Sequence, residues 1–180
     1  LATLRVSAHF FLRRNGTLVQ FVACNRRAWH AGVSSWRGRE RCNDFSIGIE
    51  LDNDGSEAFA ELQIDALIRL LADVCGRYGI PARAVIGHGD MAPTRKRDPG
   101  ILFPWRRLAE AGFGVWYADE LPEAPADFDA ALALQAIGYD TRDLPAAVNA
   151  FKRRFRGSDG SELDALDAGM RASDDEDNPR

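Results

Sequence analysis

Residues 58–78 carry apolar side chains at helical spacing, with Leu62, Ala66, Leu67, Leu70, Leu71, Val74 and Cys75 on one face and polar groups on the other. Gly79 and Pro81 then stop the helix. Short apolar runs of strand length lie on both sides of it. Upstream, residues 6–12 (VSAHFFL) and 17–23 (TLVQFVA) flank Asn15-Gly16, a strong hairpin signal, so they read as two paired strands. Residues 45–51 (FSIGIEL) read as a buried central strand with Glu50 near its end. Downstream, Ala84-Val85-Ile86 is short enough for one more buried strand and breaks at Gly87. Hairpin, strand, helix and strand predict an α/β domain that ends near Trp116.

The 180 residues suffice for one medium domain with a small appendage, and 46% hydrophobic residues supply a core. A net charge of −4 gives no reason to expect a nucleic-acid partner. Cys24, Cys42 and Cys75 form no CxxC pair, so neither a disulfide scaffold nor a thiolate zinc site is indicated. No apolar run approaches the ~18 residues of a membrane span. Beyond Trp116, Leu121-Pro122-Glu123-Ala124-Pro125 reads as a linker. Residues 127–136, 144–155 and 162–170 then read as short helices, with Val148, Phe151 and Phe155 on one face of the middle one. The expected division is a catalytic domain at 1–117, a linker at 118–126, a three-helix module at 127–172 and a disordered acidic tail at 173–180.

The chemistry gathers after Gly87. His88, Asp90, Lys96 and Asp98 follow in one loop, closed by the turn-forming Pro99-Gly100. His88 and Asp98 are nitrogen and oxygen ligands of the kinds Zn²⁺ accepts, and Lys96 can place a positive charge over the same spot. Glu50, at the mouth of its strand, suits a general acid or base; its ordinary alternative is a carboxylate paired with an arginine. His30 lies in a loop rich in Trp, His, Gly and Ser (28–36) and has the better claim to line a cleft. His9, inside an apolar strand, reads equally as a core or a catalytic histidine. Arg5 and Arg41 can each grip a substrate carboxylate, and Trp29 and Trp36 can be platforms or core filling.

Three blocks, LRVSAHFFLRRNG, RAWHAGVSSWRGRERCNDFSIGIEL and IGHGDMAPTRKRDPG, resemble the zinc-dependent N-acetylmuramoyl-L-alanine amidases of the AmpD type, in the amidase and peptidoglycan-recognition superfamily. The resemblance covers about residues 4–116. It implies a central mixed sheet flanked by helices, and cleavage of the amide joining muramic acid to L-alanine in peptidoglycan or muropeptides. By the same resemblance His88 and Asp98 are metal ligands, Glu50 is the catalytic acid/base and Lys96 stabilises the transition state. Arg5 and Arg41 match arginines that the family uses on the stem peptide, and Trp29 lies in its substrate cleft, where His30 is a candidate from its loop alone. The family's remaining zinc ligand is a histidine on an earlier strand, which this sequence does not show. The expectation is therefore that the chain begins mid-domain, and that as it stands it binds zinc weakly and cleaves little. The C-terminal part is similar to three-helix peptidoglycan-binding domains, which points to the periplasm or cell envelope; the AmpD likeness itself points to the cytoplasm. The alternative reading is a non-catalytic peptidoglycan-binding protein that has lost part of the metal site.

Overall fold

The computed structural model describes residues 6–118, 125 and 127–162. Its centre is β1 (Phe10–Leu12), paired antiparallel with β2 (Leu18–Gln20) across the Asn15-Gly16 turn. Gly16 sits at φ 80°, and a Cβ there would meet the carbonyl oxygen of Leu62 at 2.7 Å, so the turn requires glycine twice over. A small hairpin follows, β3 (Ser35–Trp36) and β4 (Arg39–Glu40). On the other side of β1, β5 (Ile49–Leu51) pairs in parallel, giving a mixed sheet of order β2-β1-β5. Residues 45–51 therefore do not form a central strand. Only their last three residues reach the ladder, at the edge of the sheet among the described residues, and a 3₁₀ turn at Cys42–Asp44 precedes the segment.

Helix α1 (Glu61–Tyr78) lies across the sheet and ends at Gly79, at φ 63°. Phe10 and Leu12 meet Ile64, Leu67, Leu70, Leu71 and Val74 in the first core. Leu62, expected inside, is exposed, and Gln63 is wholly buried in its stead. Gln63 can go inside because its amide donates to the carbonyls of Leu12 and Asp52, at 3.0 and 3.2 Å, at the ends of β1 and β5.

Residues 84–86 are not a strand. Ala82–Ala84 form a 3₁₀ turn, and Val85 is extended at φ −85°, ψ 106°. Extended backbone becomes a strand only with a ladder, and these residues have no partner strand among those described. The chain enters α2 (His88–Met91) directly, then α3 (Trp105–Glu110). Helices α4 (Ala130–Ile137) and α5 (Leu144–Phe155) start where Asp129 and Asp143 cap their first turns. The expected helix at 162–170 and the acidic tail lie almost entirely outside the described residues, as does most of the linker.

Helices α4 and α5 are not isolated from the sheet-bearing part. Leu134, Tyr139, Ala147, Val148, Phe151 and Phe155 form one buried core with Ala31, Trp36 and Met91. Among the described residues no helix is long and apolar enough to cross a membrane.

Candidate active site

Ile49 and Leu51 pack on the α1 core, so strand alternation turns Glu50 the opposite way; it lines a cleft of about 1310 Å³ that also reaches Leu67, Leu71 and Val74. The polar groups along this cleft include His30, Asn43, Glu50, His88, Lys96 and Asp98. Four segments bring them there: the loop that holds His30, the 3₁₀ turn at Cys42–Asp44, β5, and the loop that begins at α2.

That loop folds back on itself. The Gly89 amide donates to the Asp98 carbonyl at 2.8 Å, and the Lys96 amide to the Ala92 carbonyl at 2.9 Å. A Cβ on Gly89 would already lie 3.2 Å from the Asp98 carbonyl oxygen. Glycine at this position thus permits the approach that sets the His88 imidazole beside the Asp98 carboxylate, His88 Nδ1 to Asp98 Oδ2 at 3.0 Å.

The other imidazole nitrogen, Nε2, lies 3.1 Å from the Ala31 carbonyl oxygen, which accepts hydrogen bonds only. Arg95 Nη2 lies 3.5 Å from the same nitrogen, so Nε2 can donate to the carbonyl or accept from the guanidinium. In one tautomer Nδ1–H donates to Asp98; in the other the lone pair of Nδ1 faces the carboxylate, and a cation between them would be held by both. Two zinc ligands at about 2.0–2.2 Å in tetrahedral geometry stand about 3.4 Å apart, close to the separation found. His88 and Asp98 thus fit a shared metal ion. Among the described residues no group of three His, Cys, Asp or Glu side chains could hold one.

Partial burial raises the Asp98 carboxyl, but the His88 hydrogen bond and charge outweigh this and hold it below its ordinary range. Glu50 goes the other way. Desolvation in the cleft pushes its carboxyl up, Asp98 adds to the rise, and His88 and Lys96 oppose it. Two carboxylates in one cleft with opposite shifts suit one to hold a cation and the other to carry a proton.

His30 lies across Gly48, where a Cβ would fall 2.3 Å from the ring. Its backbone amide and that of Ala31 both donate to the buried Asn43 side chain, at 3.0 and 2.8 Å. Burial, then the neighbouring His9, lowers the His30 imidazole to about 4, with a smaller push from His88 and an opposing hydrogen bond from Ser46. The unfolded chain therefore takes up a proton near the ordinary value of 6.5, and the folded one only near 4. His30 should contribute its full stability above pH 6.5, lose it as pH falls from 6.5 to 4, and change little below that. The loss is roughly 2 kcal/mol after discounting for partial exposure to solvent. Urea unfolding at several pH values should show it in the native chain and not in His30→Gln; parallel losses in both would refute it.

His9 proves to be a core histidine. It is 1% exposed, accepts from the Gly48 amide at Nδ1 (3.0 Å) and donates from Nε2 to the Arg26 carbonyl (2.9 Å). Trp36 is also core, edge-on to Tyr139. The other expected substrate residues fare differently. Arg5 lies outside the described residues. Trp29 and Arg41 do not line the cleft. The Trp29 ring instead carries the Arg27 guanidinium at 3.9 Å, and Arg41 turns outward, at φ 62°, to pair with Asp44 at 3.0 Å. Arg27 also reaches Asp44, at 3.0 Å, and both of these do line the cleft. Sequence reading passed over Arg27, Asn43 and Gly89, none of which belongs to a chemical motif. The ERCND segment offered one signal, an Asn next to a turn.

A carboxylate, an ammonium group and an imidazole–carboxylate pair meet in one cleft beside a mixed sheet, a set of groups suited to a hydrolase. The model of the N-acetylmuramoyl-L-alanine amidase family matches residues 2–101, and the chain belongs to that family. The N-acetylmuramoyl-L-alanine amidase AmiD of Escherichia coli (strain K12) is 40% identical over 191 residues, 87% of this chain and 69% of AmiD. The 1,6-anhydro-N-acetylmuramyl-L-alanine amidase AmpD of Citrobacter freundii is 50% identical over 108 residues, 60% of this chain. The chain spans only 58% of that relative's length. The structure of AmiD from E. coli in complex with anhydro-N-acetylmuramic acid-L-Ala-D-gamma-Glu-L-Lys aligns at TM-score 0.84 and 36% identity, covering 96% of this chain and 80% of that one.

Proposed function

We propose that this protein hydrolyses the amide bond between N-acetylmuramic or anhydromuramic acid and the L-alanine of peptidoglycan or its muropeptides, with Zn²⁺ as its metal. The observation that carries this reading is His88 Nδ1 facing Asp98 Oδ2 at 3.0 Å, in the cleft that Glu50 and Lys96 also line. The likeness to AmiD, whose complex holds such a muropeptide, supports the substrate class.

His88 and Asp98 would hold the metal, which when bound supplies Lewis acidity and lowers the pKa of its water to about 7. Glu50, raised by desolvation, takes the proton from the attacking water and delivers it to the leaving amine of L-alanine. Lys96 offsets the negative charge that grows on the carbonyl oxygen. Arg27, on the rim, can meet a stem-peptide carboxylate. Arg41 and Trp29 stay candidates for the peptide beyond the cleft wall described above, and Arg5 stays one by the resemblance alone. The likeness of the C-terminal helices to wall-binding modules favours the cell envelope over the cytoplasm as the place of action.

Incubation with an anhydromuramyl tripeptide should release the free peptide with an N-terminal L-alanine, seen by mass spectrometry. Chelation should abolish release by at least about 100-fold, and added Zn²⁺ should restore it. No group of three candidate ligands is found among the described residues, and the rival reading is a protein that binds wall fragments without cutting them. Muropeptide binding with no release, zinc present, would establish the rival.

A further inference from the structure

We propose that helix α5 and the turn before it set the shape of the catalytic loop, through a buried clamp in which Arg154 and Tyr139 hold Asp90 and thereby position His88. This deepens the hydrolase reading and rests on it for the role of His88. Asp90, Arg154 and Tyr139 are 4%, 5% and 3% exposed. Arg154 Nη1 donates to Asp90 Oδ2 at 2.8 Å, and the Tyr139 hydroxyl donates to Asp90 Oδ1 at 2.7 Å. Asp90 Oδ2 also accepts from the Gly87 amide at 2.8 Å. Arg154 Nη2 reaches the Val85 carbonyl at 3.3 Å, and the guanidinium lies 4.1 Å above the Trp105 ring.

These bonds converge on the residues around His88. Gly87, just before it, is held by Asp90; Gly89, just after it, is held by the Asp98 carbonyl. The imidazole is thus fixed by its two backbone neighbours, one of them anchored through Asp90 to the C-terminal helices. The other end of the loop is tied to the same helices. Arg97, next to Asp98, pairs with Asp159, which also accepts from Arg153 Nε at 2.5 Å. Between loop and helix lies a small, partly open void of about 10 Å³, room for one water molecule at most.

Stability alone is a poor reason for such a clamp. A buried ion pair loses much of its Coulomb gain to desolvation, and apolar residues of similar volume often serve as well. What an apolar contact does not supply is direction. Two oxygens of one carboxylate, each aimed at a donor from a different element, fix the angle at which the chain turns into α2. Catalysis responds to that angle, since a misplacement of about 1 Å costs on the order of 100-fold in rate.

Tyr139→Phe, Arg154→Lys and Arg154→Met test this, each compared with the native chain at a temperature where circular dichroism shows it folded. The first readout is the ¹⁵N imidazole spectrum of the metal-free protein, which has only three histidines. In Tyr139→Phe and Arg154→Met the His88 signals should shift while those of buried His9 stay in place, and Arg154→Lys should fall between. The second readout is kinetic. kcat should fall by about tenfold in Tyr139→Phe and about 100-fold in Arg154→Met with KM little changed, and zinc affinity should drop about tenfold in Arg154→Met. Should Arg154→Met not fold, Tyr139→Phe decides, because it removes one hydroxyl and keeps the ring. Unmoved His88 signals in a folded Tyr139→Phe protein overturn the clamp whatever the activity. A native chain that cleaves no muropeptide, with His88 signals that do move, overturns the hydrolase reading and leaves the clamp standing.

Discussion

Replacing Glu50 with glutamine should slow amide cleavage by about 1,000-fold while zinc affinity and fold are unchanged. The substitution keeps the size of the side chain and removes only its ability to carry a proton. Glu50 lies on the sheet edge opposite the α1 core, so no buried packing is disturbed. Its carboxyl is already raised by desolvation and by Asp98, so a neutral amide meets no new electrostatic penalty there. The comparison that gives the result meaning is Asp98→Ala, which should lose metal and activity together. Single-turnover release of the stem peptide, measured beside zinc titration, separates the two. A Glu50→Gln protein within tenfold of the native rate would remove Glu50 from the reaction.

The second large effect is on stability. Phe151→Ala should cost about 3–5 kcal/mol, a large share of the ~5–15 kcal/mol that holds a domain folded. Phe151 is fully buried, with Phe155 at 4.7 Å and Tyr139 at 6.4 Å between ring centroids. Its cluster includes Trp36 and Met91 from the sheet-bearing part, so the cavity opens inside a core that both parts share. Urea unfolding should shift to lower denaturant as one transition with unchanged slope. A loss below about 1 kcal/mol, or an early separate transition that leaves the active-site half folded, would contradict this.

What could be read from the sequence was whatever depends on near neighbours. Helix α1 was legible from its period and from Gly79, and α5 from Pro145 and its apolar face. Glu50, His88, Lys96 and Asp98 were legible because three of them share one short loop and the fourth ends a strand. Pairing was harder to read. The segment 45–51 is as apolar as a central strand, yet among the described residues β5 takes an edge position and Val85 is extended without a ladder. Both facts depend on which strands lie alongside, and local sequence does not encode that. The Asp90–Arg154 pair joins residues 64 apart, and Arg154 sits in a basic run that looks solvent-facing from sequence alone. The position of Arg41 was not legible either: it stands at φ 62° and pairs with Asp44, outside the lining of the cleft.

The core that joins Trp36 and Met91 to Phe151 and Phe155 has a practical consequence for anyone trimming or recombining this gene. A version cut after residue 117 would bare a greasy flank and strand the Asp90 charge, and should precipitate rather than yield a smaller working enzyme. Grafting these helices onto another amidase requires carrying over both shores of the contact, because neither surface is a generic docking face.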